Sequence, residues 1–406
     1  MRVAADVGVP VLGVLATSGA EVHEGVAALH AWGRVARALS AVSGVVPVVL
    51  VVVGPCVSGP ALLLGMADVV VMTTDAFAYV SGPDAVASMT GVQVTHERLG
   101  GAGIHGSRSG VAALMAPEEQ VAINLALDVL SFLAPNNMEL PHLRWTDDSP
   151  DREVAATVPA SPTASYDVRA VVADVADRQS MLELWPLHAP NMVTSFATIE
   201  GAPVGVIANQ PNQLAGTVDI AASSKGARFV QLCDSFNVPL VTFVDTPGFQ
   251  PGKDIEWRGM IRHGAELVHA YSAATVPRVC VVLRKAYGGA YIVMDSKSLG
   301  NDACFCWPNA ELAVMGPPQA VQVLHGKRLN GPNRADGEEE EAAAERAALE
   351  ADYAARFLTP VTAAERGYVD QIIESADTRQ AVAMALRALH HKHEHHPKRR
   401  HANTPL

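Results

Sequence analysis

Cysteine is scarce in this sequence, and the 5 present among 406 residues build no framework. Cys56, Cys233 and Cys280 stand in apolar runs and read as core residues. Cys304 and Cys306 make a single CxC with no second pair to complete a zinc site. No metal centre is therefore expected, and a reducing, cytoplasmic compartment is. Charge is also thin, at 18% of residues against 49% hydrophobic, which excludes a disordered chain. Its balance is acidic, with a formal net charge of -12, so a nucleic-acid backbone would be repelled overall. The apolar run over 42–53 contains Pro47 and is too short to cross a bilayer. The opening residues lack the basic, apolar, small-residue order of a signal peptide. Neither nucleic acid nor membrane is expected as a partner.

Familiar catalytic signatures are missing as well. No Walker A or GxGxxG spacing occurs at the glycine-rich turns. No Ser/His/Asp or Cys/His set stands out. His23, His30, His96 and His105 have no spacing that requires a metal or a general base.

What is present is an internal repeat. Val9-Pro10 leads an apolar run that ends near Ser18-Gly19, and Val238-Pro239 leads one that ends at Pro247-Gly248. Pro47 opens a run that reaches Gly59, and Pro277 one that reaches Gly288-Gly289. The offsets from Pro10 to Pro239, Pro47 to Pro277 and Gly59 to Gly289 are 229, 230 and 230 residues. An ordered series at nearly constant offset implies two related domains. We place the first at 1–150 and the second at 151–390, with a Pro-, Asp- and Ser-rich linker over 135–165 and a basic His-rich tail at 391–406.

Buried strands are expected over 9–16, 45–54, 67–72, 204–208, 238–245, 277–284 and 311–315. Helices are expected over 24–41, 118–134, 223–236 and 256–273, with a solvated Glu/Ala helix over 338–350. Alternating strands and helices imply an α/β fold with mostly parallel sheets. The second copy has a long lead-in, including 191–208, and the first has none, so the first domain is expected to be incomplete and to expose an apolar sheet edge.

Two turns are candidates for chemistry. Tyr287-Gly288-Gly289-Ala290-Tyr291 follows a buried strand, and Ser58-Gly59 holds the matching place in the first copy. Tight strand-to-helix turns can aim backbone N–H groups at one point, where a carbonyl oxygen becomes an oxyanion. A packing turn is the alternative. Asp245 follows a strand and either lines a ligand loop or satisfies loop amides. Lys225 and Arg228 share a helix face, where they attract an anionic ligand or are simply solvated.

The sequence resembles the carboxyltransferase subunits of biotin-dependent acyl-CoA carboxylases of the propionyl- and acetyl-CoA type. The likeness is carried by Ala189 to Val193, Gly216 to Ile220, Lys225 to Phe229, Val244 to Gly252, Arg284 to Met294, Trp307 to Glu311 and Ala363 to Asp370. It implies two crotonase-like (ClpP/crotonase) domains, a hexamer, and active sites between the first domain of one chain and the second of another. It implies an acyl-CoA thioester as substrate and biotin on a carrier domain of a biotin carboxylase/carboxyl carrier partner. By this likeness Gly289 and Ala290 carry the amides facing biotin, and Ser58 and Gly59 those facing the acyl-CoA enolate. Gly248, Phe249, Tyr287, Gly288, Tyr291 and Ile292 would border the ligands. Ile292 stands where propionyl-preferring members often have an acidic residue, which implies a more apolar acyl group. The first half departs from the family at Glu21, where a basic residue is usual, and at Ser58 and Leu62-Leu63. Two readings stay open beside carboxyl transfer: a catalytically degenerate scaffold of a carboxylase complex, and a biotin-dependent decarboxylase subunit.

Overall fold

The computed structural model describes every residue except 150–151, 155–157, 160, 162, 330–338, 395, 398–399, 401–402 and 406. The first residue of the expected Glu/Ala helix and parts of the linker and tail thus lie outside the described residues. That helix is observed over Glu339–Phe357.

The first sheet contains β1 (Val11–Thr17), β2 (Val48–Val57), β3 (Val69–Thr73), β4 (Phe77–Tyr79) and β5 (Leu114–Ala116). All pairings are parallel, in the order β1-β2-β3-β5, with β4 beside the end of β2. The second contains β6 (Leu182–Leu184), β7 (Met192–Ile199), β8 (Ala202–Asn209), β9 (Leu240–Thr246), β10 (Arg278–Tyr287), β11 (Ala303–Cys306), β12 (Glu311–Ala313) and β13 (Gln371–Ile372). Its order is β13-β11-β10-β9-β8-β7-β6, with β12 beside β10. Its only antiparallel pairings among the named strands are β6 with β7 and β7 with β8, and β8 runs parallel to β9.

The repeat seen in the sequence is a repeat of register. Val11 opposes Val48 as Leu240 opposes Arg278, and Pro55 opposes Phe77 as Lys285 opposes Glu311. Both copies even slip at the same place: Thr17 pairs with Cys56 after the shift, and Thr246 with Ala286. The copies differ at one flank. β9 is covered by β8 and is buried throughout, whereas β1 is an outer strand among the described residues and Val14 is 45% exposed. The expected apolar edge is therefore present in this chain.

One core joins the two sheets. Valines of β2 and β3 pack with helix Glu119–Leu130, Phe196 of β7 and Phe229 of helix Ile220–Ser235. Phe132 stacks on Phe196 with ring centroids 5.5 Å apart. Lys225 and Arg228 of helix Ile220–Ser235 both bond backbone carbonyls, so Lys225 is not solvated as its helix face suggested, whereas Arg228 keeps a 42% exposed side chain. Arg228 donates to the Ala67 carbonyl, and its guanidinium lies 3.7 Å from Asp68. Lys225 is buried, and its ammonium donates to the carbonyls of Trp185, His188, Ala189 and Met192 at 2.6–3.4 Å. Burial pulls its pKa down to about 7. Lys225→Met keeps the buried stem but strands those carbonyls, and it is expected to lower urea stability by about 2 kcal/mol.

Candidate active site

The second-copy turn forms because β10 ends at Tyr287 and the chain must reverse into helix Gly288–Val293 within one residue. Gly288 achieves this at φ 60, where a side chain would be strained and a Cβ would approach the Val314 carbonyl to 3.1 Å. The helix has no side-chain cap at Tyr287, and the first turn of any helix leaves its N–H groups without intrahelical partners. Gly289 and Ala290 stand in that uncapped first turn, with Ala290 fully buried. Phe249 comes to them from the loop after β9, where Val218 donates to the Gly248 carbonyl and Gln250 donates back to Val218. A Cβ on Gly289 would lie 3.4 Å from the Phe249 ring.

A cavity of about 710 Å³ opens over this turn. Gly288, Gly289, Tyr291 and Ile292 line one side, Val314 and Leu324 another, and Tyr353 and Phe357 a third. Among the described residues no carboxylate, imidazole or thiol lines it, and the walls are mostly apolar with Lys297 and Arg366 among them. Lys297 is held by the Asp370 carboxylate at 2.6 Å. The Tyr287 hydroxyl donates to Glu311, and burial together with that carboxylate raises its pKa far from neutrality. Burial does the same for Tyr291. The structure thus brings together Gly288, Gly289, Ala290, Tyr291, Ile292, Phe249 and Tyr287.

Beneath the turn lies a rigid support that sequence reasoning left undecided. Asp245 is buried, pairs with Arg284 at 3.0 Å, and accepts from the Lys285 N–H and the Tyr166 hydroxyl. Arg284 also donates to the carbonyls of Ser161 and Ala164, which fastens the linker. Asp245 is therefore a structural anchor of β10. The cavity walls were missed for a different reason. Helix Glu339–Phe357 reads as solvated from its glutamates, yet its Tyr353 and Phe357 rings pack at 5.1 Å, tilted, and line the cavity. Their i, i+4 spacing was the available signal.

In the first copy, β2 ends at Val57 and helix Gly59–Met66 begins two residues on. Gly59 passes under Trp32, where a Cβ would lie 2.6 Å from the indole, so only glycine fits. The assignment of the first amide pair to Ser58 and Gly59 needs correction. The Ser58 N–H already donates to the Tyr79 carbonyl at 2.9 Å, as the β2–β4 pairing demands, and only Gly59 can present its amide there.

The same organisation appears in known proteins. A family model described as "Carboxyl transferase domain" matches residues 1–404. This chain belongs to the carboxyl transferase family. The propionyl-CoA carboxylase beta chain of Saccharopolyspora erythraea is 44% identical over all of this chain and 76% of its own length. The methylmalonyl-CoA decarboxylase subunit alpha of Veillonella parvula is 41% identical over all of this chain and 77% of its own. The solved structure of transcarboxylase 12S, a hexamer with methylmalonyl-coenzyme A bound, matches with a TM-score of 0.95 at 40% identity, over 100% of this chain and 77% of that one. The likeness carried by the motifs therefore holds along the whole carboxyl transferase chain, and the crotonase-like α/β fold with it. No described helix is long and apolar enough to cross a membrane.

Proposed function

We propose that this chain transfers a carboxyl group from carboxybiotin on a carrier protein to the α-carbon of a short acyl-CoA, with propionyl-CoA favoured over acetyl-CoA. The observation that carries this reading is the uncapped first turn of helix Gly288–Val293 at Gly289 and Ala290, beside a cavity with no carboxylate, imidazole or thiol among its described lining residues. Biotin supplies a ureido ring that delivers the CO2 and accepts the α-proton. The chain's part is to hold the two partners together, donate hydrogen bonds where negative charge develops, and keep water away. The cradle fits such a ring: the uncapped turn at Gly289 and Ala290, the Phe249 ring packed beside it, and a cavity above with mostly apolar walls that include Lys297 and Arg366. Ile292 adds an alkyl wall that suits an apolar acyl group. The carboxylase and decarboxylase relatives at over 40% identity support acyl-CoA chemistry, and the likeness to transcarboxylase 12S supports a hexamer.

The test is the reverse reaction. The purified chain is mixed with free biotin and either methylmalonyl-CoA or malonyl-CoA, and release of the decarboxylated thioester is followed. Faster release of propionyl-CoA than of acetyl-CoA is expected. No release of either from a folded hexamer overturns the reading and leaves a scaffold of a carboxylase complex.

A further inference from the structure

The two turns match in register but not in chemistry. Bridge partners align Ser58 with Gly288, Gly59 with Gly289 and Pro60 with Ala290. Backbone angles agree, with φ 65 at Ser58 and 60 at Gly288. The second turn thus presents amides at both of its positions. The first cannot, because proline has no N–H and Pro60 stands where Ala290 does. With the Ser58 amide bonded to Tyr79, a single backbone donor remains, that of Gly59.

Ser58 is the residue left unexplained. It holds φ 65, ψ -148, a conformation that favours glycine, and it is not glycine. It stands at the N-cap position of helix Gly59–Met66, where serine ordinarily accepts from the helix, yet its side chain makes no cap bond. Among the described residues its hydroxyl has no protein partner, and it is only half-buried. Its Cβ borders the loop after β1, where a Cβ on Gly19 would lie 3.2 Å away. A serine here gives up both the ease of glycine and the bond of a cap while keeping one free donor beside Gly59.

We propose that the Ser58 hydroxyl replaces the amide that Pro60 lacks, so that the acyl-side oxyanion is held by the Gly59 N–H and the Ser58 O–H. The inference rests on the carboxyl-transfer reading. In that reaction the thioester α C–H bond breaks, and its proton passes to the ureido nitrogen freed of CO2. The electron pair moves onto the thioester oxygen, where both donors stabilise it. It then returns to form the C–C bond with CO2. Ser58 donates throughout and keeps its own proton.

Two readouts test the proposal. In the reverse assay, Ser58→Ala retains the backbone angles and loses the hydroxyl, and kcat is expected to fall about tenfold to a hundredfold with KM little changed. Adding Pro60→Ala restores the missing amide and is expected to recover most of that loss. The second readout needs no turnover. Propionyl-CoA labelled with ¹³C at the thioester carbonyl is bound to the intact hexamer, and its carbonyl stretch is read by infrared difference. The native stretch is expected to lie below that of the Ser58→Ala complex, because a donor polarises the carbonyl. Equal stretches overturn the role of Ser58, as does Ser58→Ala activity within about twofold of native. If native protein shows the shift but no transfer, the carboxyl-transfer reading fails and the Ser58 contact stands. A native protein that does not bind propionyl-CoA overturns both.

Discussion

Replacing Ala290 with proline is expected to cut carboxyl transfer by about 10²–10³-fold while the KM for acyl-CoA changes little. The substitution deletes one N–H in the uncapped first turn, next to Gly289, which lines the cavity. A donor that matters only when charge develops lowers kcat when it is removed and leaves ground-state binding alone. The chain itself shows that the turn accepts this residue, because Pro60 holds the equivalent position in the first copy. Proline also suits the first turn of a helix. Ala290 is fully buried, so some loss of thermal stability accompanies the change and is measured alongside. Gly289→Ala is the control. It retains its N–H and adds a methyl 3.4 Å from the Phe249 ring, and it is expected to lose far less activity. Single-turnover kinetics with methylmalonyl-CoA and free biotin separate the two. If Ala290→Pro turns over at the native rate, its amide does not face developing charge.

The largest stability effect is expected far from the cavity, at Asp177. Its carboxylate accepts from Arg379 at 2.6 Å, Thr198 at 2.7 Å, Gly201 at 2.8 Å and Glu200 at 3.1 Å. Arg379 is fully buried and also donates to the carbonyls of Val175 and Ser149. Four separate pieces of chain meet here: the linker at Ser149, helix Val168–Val175 with Asp177 just after it, the β7–β8 hairpin and helix Thr378–Ala388. Asp177→Ala leaves the Arg379 charge buried with no full partner, which is expected to destabilise by about 3–5 kcal/mol. Asp177→Ala with Arg379→Met removes both charges and is expected to recover much of that loss. Urea titration of the three proteins completes the cycle. Burial alone would raise the Asp177 carboxyl, but the bonds from Arg379, Gly201 and Thr198 together outweigh it and hold the pKa below the usual carboxylate value. The folded state therefore binds this proton less tightly than the unfolded chain. Its stabilisation is complete above the unfolded value near pH 4 and is lost as pH falls through the depressed one. Asp177→Ala should flatten the acid limb of the stability profile. An unchanged acid limb would mean that other carboxylates govern acid unfolding.

Much of the fold was legible because its long strands announce themselves. β2, β9 and β10 carry apolar runs entered at Pro47, Pro239 and Pro277, and the sequence places each within a few residues. The C-terminal helix Thr378–Ala388 and the short strands β4, β5, β6 and β13 were not legible. The strands among these are two or three residues long and exist through pairing with a neighbour rather than through a pattern of their own. The Gly288-Gly289 turn could be found because glycine after a buried strand is a local statement about backbone angles. Its cavity could not, because the walls come from helices Pro317–Leu329 and Glu339–Phe357, which follow the turn at a distance along the chain. Lys225 shows the opposite error. Helix periodicity placed it on a polar face, and only the packing of the Trp185–Met192 segment over that face buried it.

The sequence by itself determined the duplication, the strand-to-helix turns and their glycines, and the absence of a metal or triad signature. These follow from local backbone geometry and residue chemistry, which a linear chain already specifies. Only the tertiary structure decided which N–H groups remain free. The Ser58 amide is lost to Tyr79, whereas among the described residues no side chain caps the turn at Gly289 and Ala290, and no spacing along the chain reveals it. The physical reason is that a hydrogen-bond donor is available or taken according to the strand laid beside it, and register between distant strands is set by packing.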